Sequence, residues 1–188
     1  MMIKKLTYIT TNRDKFVKAQ QNLLPFKIEL IQKNIELTEI QSFSGEEVVA
    51  AKLKQAFETV KTPVLVGDDS WSIPALGGFP ATNMKQCNHF LQAEDWLRLM
   101  AGVQDRRIFL ISYLGYFDGQ KTSFFSMSEE CYFLNEVQGS HPSAPHLSVV
   151  AFHGEKQSIA EYLAQGMRPK ENQKDFWIKV AEEIKSLR

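Results

Sequence analysis

Pro63-Val64-Leu65-Val66-Gly67-Asp68-Asp69-Ser70-Trp71-Ser72-Ile73-Pro74-Ala75-Leu76-Gly77-Gly78-Phe79-Pro80 is the stretch on which the reading of this chain turns. An apolar, β-branched run leads into Gly67 and two adjacent carboxylates, the pattern of a buried strand whose C-terminal end opens into a loop. Such ends are where α/β sheets place ligands. Asp68 and Asp69 there suit a hard cation, because Mg2+ takes one or two carboxylates and fills its other positions with water and phosphate oxygens. A solvated acidic turn beside glycine accounts for the same pair.

Upstream, Ile3 to Thr10 is rich in β-branched and aromatic residues and predicts a first strand. Thr10-Thr11-Asn12 supplies capping groups for a helix from Asp14 to Leu24, which stops before Pro25. Phe26 to Leu30 resumes strand character. Ile35 to Ile40 alternates apolar with polar, as a half-exposed strand or extended segment would, and puts Glu39 near a sheet edge. Ser44-Gly45-Glu46-Glu47 matches a capping box and opens a helix carrying Val48, Val49, Leu53, Ala56, Phe57 and Val60.

Downstream, Asn88 to Ala101 predicts an amphipathic helix, Ile108 to Phe117 a strand, and Asp118-Gly119 a hairpin into Thr122 to Met127. Cys131 to Leu134 and His146 to Phe152 read as further strands, Ser158 to Ala164 as a short helix, and Lys170 to Leu187 as a last one. The expected architecture is one α/β domain over residues 1–188, with a mixed, elongated central sheet, flanking helices and a cleft at the strand ends.

Twenty-two basic residues balance twenty-two acidic ones, so no global field draws the chain to a nucleic-acid polymer or a membrane surface. A hydrophobic share of 44% excludes a disordered tail. Cys87 and Cys131 are too few for a disulfide framework, and Met1 to Leu6 lacks a long apolar core, so a soluble, unprocessed, cytoplasmic protein is expected. His89, His141, His146 and His153 show no metal-ligand spacing and read as surface or packing residues.

Three features would converge at the strand ends. Thr10, Asn12 and Lys15 offer a hydroxyl, an amide, helix N-terminal N–H groups and an ammonium, the outline of a phosphate cradle or simply of an N-cap followed by a surface lysine. Lys52 lies inside the second helix, where a solvated lysine is the plain alternative. Glu39 has no claim alone. Together with the acid pair, these residues describe a metal-assisted phosphoryl site.

Thr10-Thr11-Asn12-Arg13-Asp14-Lys15, the Glu39-Ile40-Gln41 step, Glu47 to Lys52, and Asp68-Asp69-Ser70 with Ala75-Leu76-Gly77-Gly78-Phe79-Pro80 resemble the inosine triphosphate pyrophosphatase family. The resemblance implies a two-lobed fold with a cleft between the lobes. It also implies Mg2+-dependent hydrolysis of non-standard purine nucleoside triphosphates such as ITP and XTP to monophosphate and pyrophosphate. It places phosphate binding on Thr10, Asn12, Lys15 and Lys52, the metal on Glu39 and Asp68, and catalysis on Asp68 with Lys52. A one-residue gap would move the aspartate's role to Asp69, which we therefore include as a metal candidate. A homodimer is implied in the same way.

The nucleobase half departs from the family. Ala144-Pro145-His146-Leu147-Ser148 stands where the family has Gly-Phe-Gly-Tyr/Trp-Asp-Pro, and Phe176-Trp177-Ile178 where it has Ser-His-Arg. Replacing hydrogen-bonding groups by apolar ones removes the readout of a base edge, so an altered base pocket is expected, with Phe176 and Trp177 lining an apolar substrate cleft. The alternatives are a weakly active or inactive member that binds a nucleotide or a protein partner there, and a Maf-type nucleotide pyrophosphatase. The latter fits Leu-Gly-Gly-Phe-Pro less well.

Overall fold

Asn12 breaks the first strand from the first helix, and the rest of the fold is laid down beside that corner. The structure, a computed structural model, describes residues 4–166 and 173–186. Met1-Met2-Ile3, residues 170–172 of the expected last helix and Leu187 lie outside the described residues. Strand β1 (Lys4–Ile9), helix α1 (Arg13–Leu23) and strand β2 (Ile28–Lys33) form a βαβ unit, with β1 and β2 parallel from Lys4 beside Ile28 to Ile9 beside Lys33. A 3-10 turn over Leu24–Phe26, built on Pro25, consumes Phe26 and delays β2 beyond its expected start.

Helix α2 (Gly45–Val60) follows an irregular segment, and strand β3 (Val64–Ser72) returns parallel to β1, with Thr7 beside Val64 and Ile9 beside Val66. The short β4 (Pro80–Ala81) pairs antiparallel with β3. Then come α3 (Met84–Phe90), α4 (Ala93–Leu99), β5 (Arg107–Phe117), β6 (Thr122–Phe133), β7 (Val150–Phe152), α5 (Ile159–Ala164) and α6 (Lys174–Ser186). Among the described residues the sheet order is β2-β1-β3-β5-β6-β7, with β4 alongside β3. Parallel pairs at β1 and antiparallel ones at β4 and β7 make the sheet mixed, as expected, with helices flanking it.

The chain divides into two compact units. The first holds the described residues of Met1–Asp68, Ser112–Met127 and Asn172–Arg188, the second those of Asp69–Ile111 and Ser128–Glu171. In the first, strand alternation sorts two cores. Leu6, Tyr8 and Leu65 pack with Ala19 and Leu23 of α1 and Trp177, Val180 and Ile184 of α6, while Ile9, Val64 and Val66 pack with Val49, Leu53 and Ala56 of α2. Helices on both faces explain why β3 begins as an unbroken apolar run. The second unit gathers Trp71, Ile73, Trp96, Met100, Ile108, Phe133 and Val149. No helix among the described residues is long and apolar enough to cross a membrane.

Four expectations are corrected. Of the strand or extended segment expected over residues 35–40, no strand forms; Ile35 and Leu37 pack on the α2 core, and Glu39 sits in an irregular segment rather than at a sheet edge. The helix expected over Asn88 to Ala101 is two, since Leu91 and Gln92 are extended and Gln92 caps α4, its N–H donating to Asp95 Oδ2 at 2.8 Å. β6 runs unbroken to Phe133, carried past Glu129 and Glu130 by its pairing in the sheet. Pro145 opens a 3-10 turn over Pro145–Ser148, which shortens the last strand to Val150–Phe152.

Helix α2 is seated by a close approach. A Cβ on Gly45 would overlap the Tyr113 ring, so only glycine lets the first turn lie on that ring. Gly45→Ala gains helix propensity yet should lose about 1–3 kcal/mol of stability by overpacking, read as a lower denaturation midpoint, with part of the loss recovered in Gly45→Ala/Tyr113→Leu.

Candidate active site

Lys52 is 8% exposed in the middle of α2. Its Nζ donates to Glu39 Oε1 at 2.8 Å and to Asp68 Oδ2 at 2.7 Å, so the irregular segment, the helix and β3 meet on one ammonium. Burial pulls the Lys52 pKa down, but the hydrogen bonds and charges of Asp68 and Glu39 outweigh it and hold the group above its ordinary value. Lys52 therefore stays charged, and the surface-lysine alternative does not describe it.

Asp68 reaches this point because of Gly67. A Cβ there would come within 2.8 Å of Tyr8 Oη and 3.3 Å of the Tyr113 carbonyl oxygen. A strand glycine commonly marks such a close approach. Asp69 follows on β3 with its side chain on the opposite face of the pleat, and belongs to the second unit.

The turn after β1 lies at the same end of the sheet, since Ile9 pairs with Val66 in parallel register. Asn12 is the N-cap of α1: its Oδ1 accepts from Asp14 N at 2.9 Å and from Lys15 N at 3.1 Å, while Thr10 Oγ1 accepts from Asn12 N at 3.1 Å. Gln32 of β2 donates to the Thr10 carbonyl at 3.0 Å and braces the turn. Thr10, Asn12 and Lys15 thus share one short corner, one strand away from Asp68, with Lys15 half-buried on the first turn of α1.

Trp177 lies elsewhere. It is 5% exposed in the first unit's core, and Phe176 packs edge-on against it at 5.1 Å. Helix packing accounts for both aromatics, and the apolar cleft expected around them is core.

Gln55 carries no sequence signal of its role, and His146 takes the packing alternative expected of it. Gln55 of α2 bonds the backbone of Thr38 through both ends of its amide. In the second unit, His146 is 3% exposed, its ring edge-on to Trp71 at 4.8 Å and 6.2 Å from the Trp96 ring. Its Nδ1 lies 2.9 Å from Asn88 Oδ1, an acceptor, which puts the proton of the neutral ring on Nδ1. His146 Nε2 and Trp96 Nε1 are buried without a hydrogen-bond partner among the described residues. A Pro on one side and an apolar residue on the other were the only local signs that His146 faces inward.

The fold is mixed α/β, and Lys52 joins Glu39 to Asp68 on β3. The profile of the Ham1 family matches residues 6–144, and the chain belongs to that family. A dITP/XTP pyrophosphatase of Pyrococcus horikoshii is 31% identical over 137 residues, 73% of this chain and 74% of that protein. An inosine triphosphate pyrophosphatase of Phaeosphaeria nodorum is 34% identical over 114 residues, 61% of this chain and 60% of that protein. Among solved structures, the Staphylococcus aureus Ham1 protein superposes with a TM-score of 0.74 at 14% identity, covering 98% of this chain and 100% of that one. That similarity concerns the fold.

Burial holds His146 well below its ordinary 6.5, at about 3. A histidine kept neutral in the folded state contributes stability that is complete above its unfolded pKa and is lost as pH falls. The loss should begin near pH 6.5 and approach about 1.4 kcal/mol per pH unit. Denaturation midpoints measured between pH 6.5 and 4.5, above the range in which Asp118 and Glu183 lose their stabilising partners, should fall in the wild type and change much less in His146→Gln.

Proposed function

We propose that this protein hydrolyses a nucleoside triphosphate to the monophosphate and pyrophosphate in a Mg2+-dependent reaction, with a base pocket unlike that of its relatives. The observation that carries the reading is the Lys52 ammonium held between Glu39 and Asp68 at 2.8 and 2.7 Å. The names of the relatives, dITP/XTP and inosine triphosphate pyrophosphatase, support the same reaction class.

The donor set fits a hard divalent cation. Two carboxylates meet on the Lys52 ammonium, and among the described residues no group of three or more His, Cys, Asp or Glu side chains could hold a metal unaided. Glu39 and Asp68 would supply one or two positions, leaving the rest to water and substrate phosphates, which is how Mg2+ is usually held. When bound there, the ion would neutralise phosphate charge and polarise the phosphoanhydride.

The chain's own groups do the remaining work. Lys52, charged at neutral pH, offers its N–H groups to the negative charge that grows on the phosphate oxygens. Lys15 and the first turn of α1 receive the outer phosphates. Asp68, as a carboxylate, accepts the proton of the water that is added across the α–β phosphoanhydride, and the pyrophosphate leaves as the anion. Ala144 to Ser148 and Phe176-Trp177 stand where the family resemblance leads one to expect base-reading polar groups. In this protein Pro145, His146 and Ser148 are buried, and so is Trp177. This supports a pocket with weak readout of the base.

The test is pyrophosphate release from ITP, XTP, dITP and the four common triphosphates with Mg2+. Asp68→Asn and Lys52→Gln should each lower kcat about 100-fold or more, and kcat/KM for ITP should exceed that for GTP by less than about 10-fold. ITP turnover with strong discrimination would overturn the altered pocket. No turnover of any triphosphate would overturn the enzyme and favour a nucleotide-binding protein.

A further inference from the structure

Residue 38 stands in a segment without a strand partner, yet its peptide groups are paired. Thr38 N–H donates to Gln55 Oε1 at 2.9 Å, and Gln55 Nε2 donates to the Thr38 carbonyl at 2.8 Å. A primary amide thereby supplies both bonds that a neighbouring strand would otherwise give. The same Nε2 lies 3.4 Å from the Ala51 carbonyl inside α2, which orients the amide.

The next residue is Glu39, whose carboxylate meets Lys52 at 2.8 Å. Lys52 and Gln55 are three residues apart in α2 and so project from one face of the helix. One helix face therefore holds two successive residues of the segment, the backbone of Thr38 and the side chain of Glu39. The Glu39 side chain is 49% exposed, and an ion pair that open to water is screened and costs side-chain entropy. A fixed backbone one residue away removes most of the freedom that the carboxylate would otherwise have.

We propose that Gln55 is a positioning residue: its amide clamps the Thr38 peptide and so delivers the Glu39 carboxylate to Lys52 and to the divalent cation that Glu39 would help to hold. The clamp is independent of the function proposed above; only the use made of Glu39 rests on that reading. Gln55 touches neither Asp68 nor the phosphate corner in this assignment, so its loss should weaken metal capture rather than the chemical step.

Gln55→Met keeps the bulk and helix propensity and removes both hydrogen bonds; Gln55→Ala is the second variant. Three measurements apply to the full chain: hydrogen exchange of the Thr38 amide, titration with Mn2+ alone, and pyrophosphate release from ITP against Mg2+ concentration. Thr38 exchange should quicken about 10-fold or more, and half-saturation by Mn2+ and Mg2+ should rise about 10-fold, as expected for loss of a group that orients a metal ligand. At saturating Mg2+, kcat should stay within about 2-fold of wild type, because the transition-state contacts are untouched.

Unchanged Thr38 exchange in both variants would overturn the clamp, whatever the protein hydrolyses. Faster exchange with unchanged half-saturation by Mn2+ and Mg2+ would overturn its link to Glu39. A wild type that releases no pyrophosphate would sink the proposed function and leave the exchange and Mn2+ measurements to decide the clamp.

Discussion

One ammonium group holds the candidate site together. Lys52 is almost fully buried, and burial alone would push a lysine toward its neutral form; Asp68 and Glu39 reverse that. The dependence runs both ways. Two carboxylates drawn to one point repel each other unless a cation stands between them, and a buried cation is stable only while its partners stay in place. The cluster is therefore one electrostatic unit built from three separate pieces of chain. In the proposed reaction the same unit would present positive charge to phosphates and negative charge to a metal and a water molecule.

The backbone that delivers those groups is set by parallel pairing. Because β1, β2 and β3 all run the same way, the corner after Ile9 and the end of Val64 to Val66 open on one edge of the sheet. A residue of zero side-chain volume at position 67 admits the Tyr8 hydroxyl beside the chain just before Asp68. Cores on both faces of these strands, under α1 and α6 on one side and α2 on the other, keep that edge from shifting. Packing stability and site geometry thus rest on the same three strands.

The second unit follows a different logic. Its core is aromatic and includes an imidazole buried beside Trp71 and Trp96, bonded through one nitrogen to Asn88. The segment carrying this histidine stands where the resemblance to inosine triphosphate pyrophosphatases leads one to expect base-reading residues. Here the segment is spent on internal packing: Pro145, His146 and Ser148 all face inward.

Much of this was legible in the sequence wherever a short-range energy decides the outcome. Asn12 and Ser44 cap helices because their side chains reach N–H groups two or three residues on. Asp118-Gly119 makes the hairpin by the same local bonding, and Val64 to Val66 forms a central strand because hydrophobic burial on both faces leaves no other use for it. The six polar residues from Thr10 to Asp68 were marked by spacing and resemblance. Their convergence was not visible there, because the Lys52 bonds to Glu39 and Asp68 span 13 and 16 positions.

Tertiary structure alone decided that the Thr38 peptide is bonded by Gln55 rather than by a strand, that His146 is buried, and that Trp177 is core. In each case the deciding energy lies in contacts between groups remote in sequence, whose desolvation and pairing have no local signature.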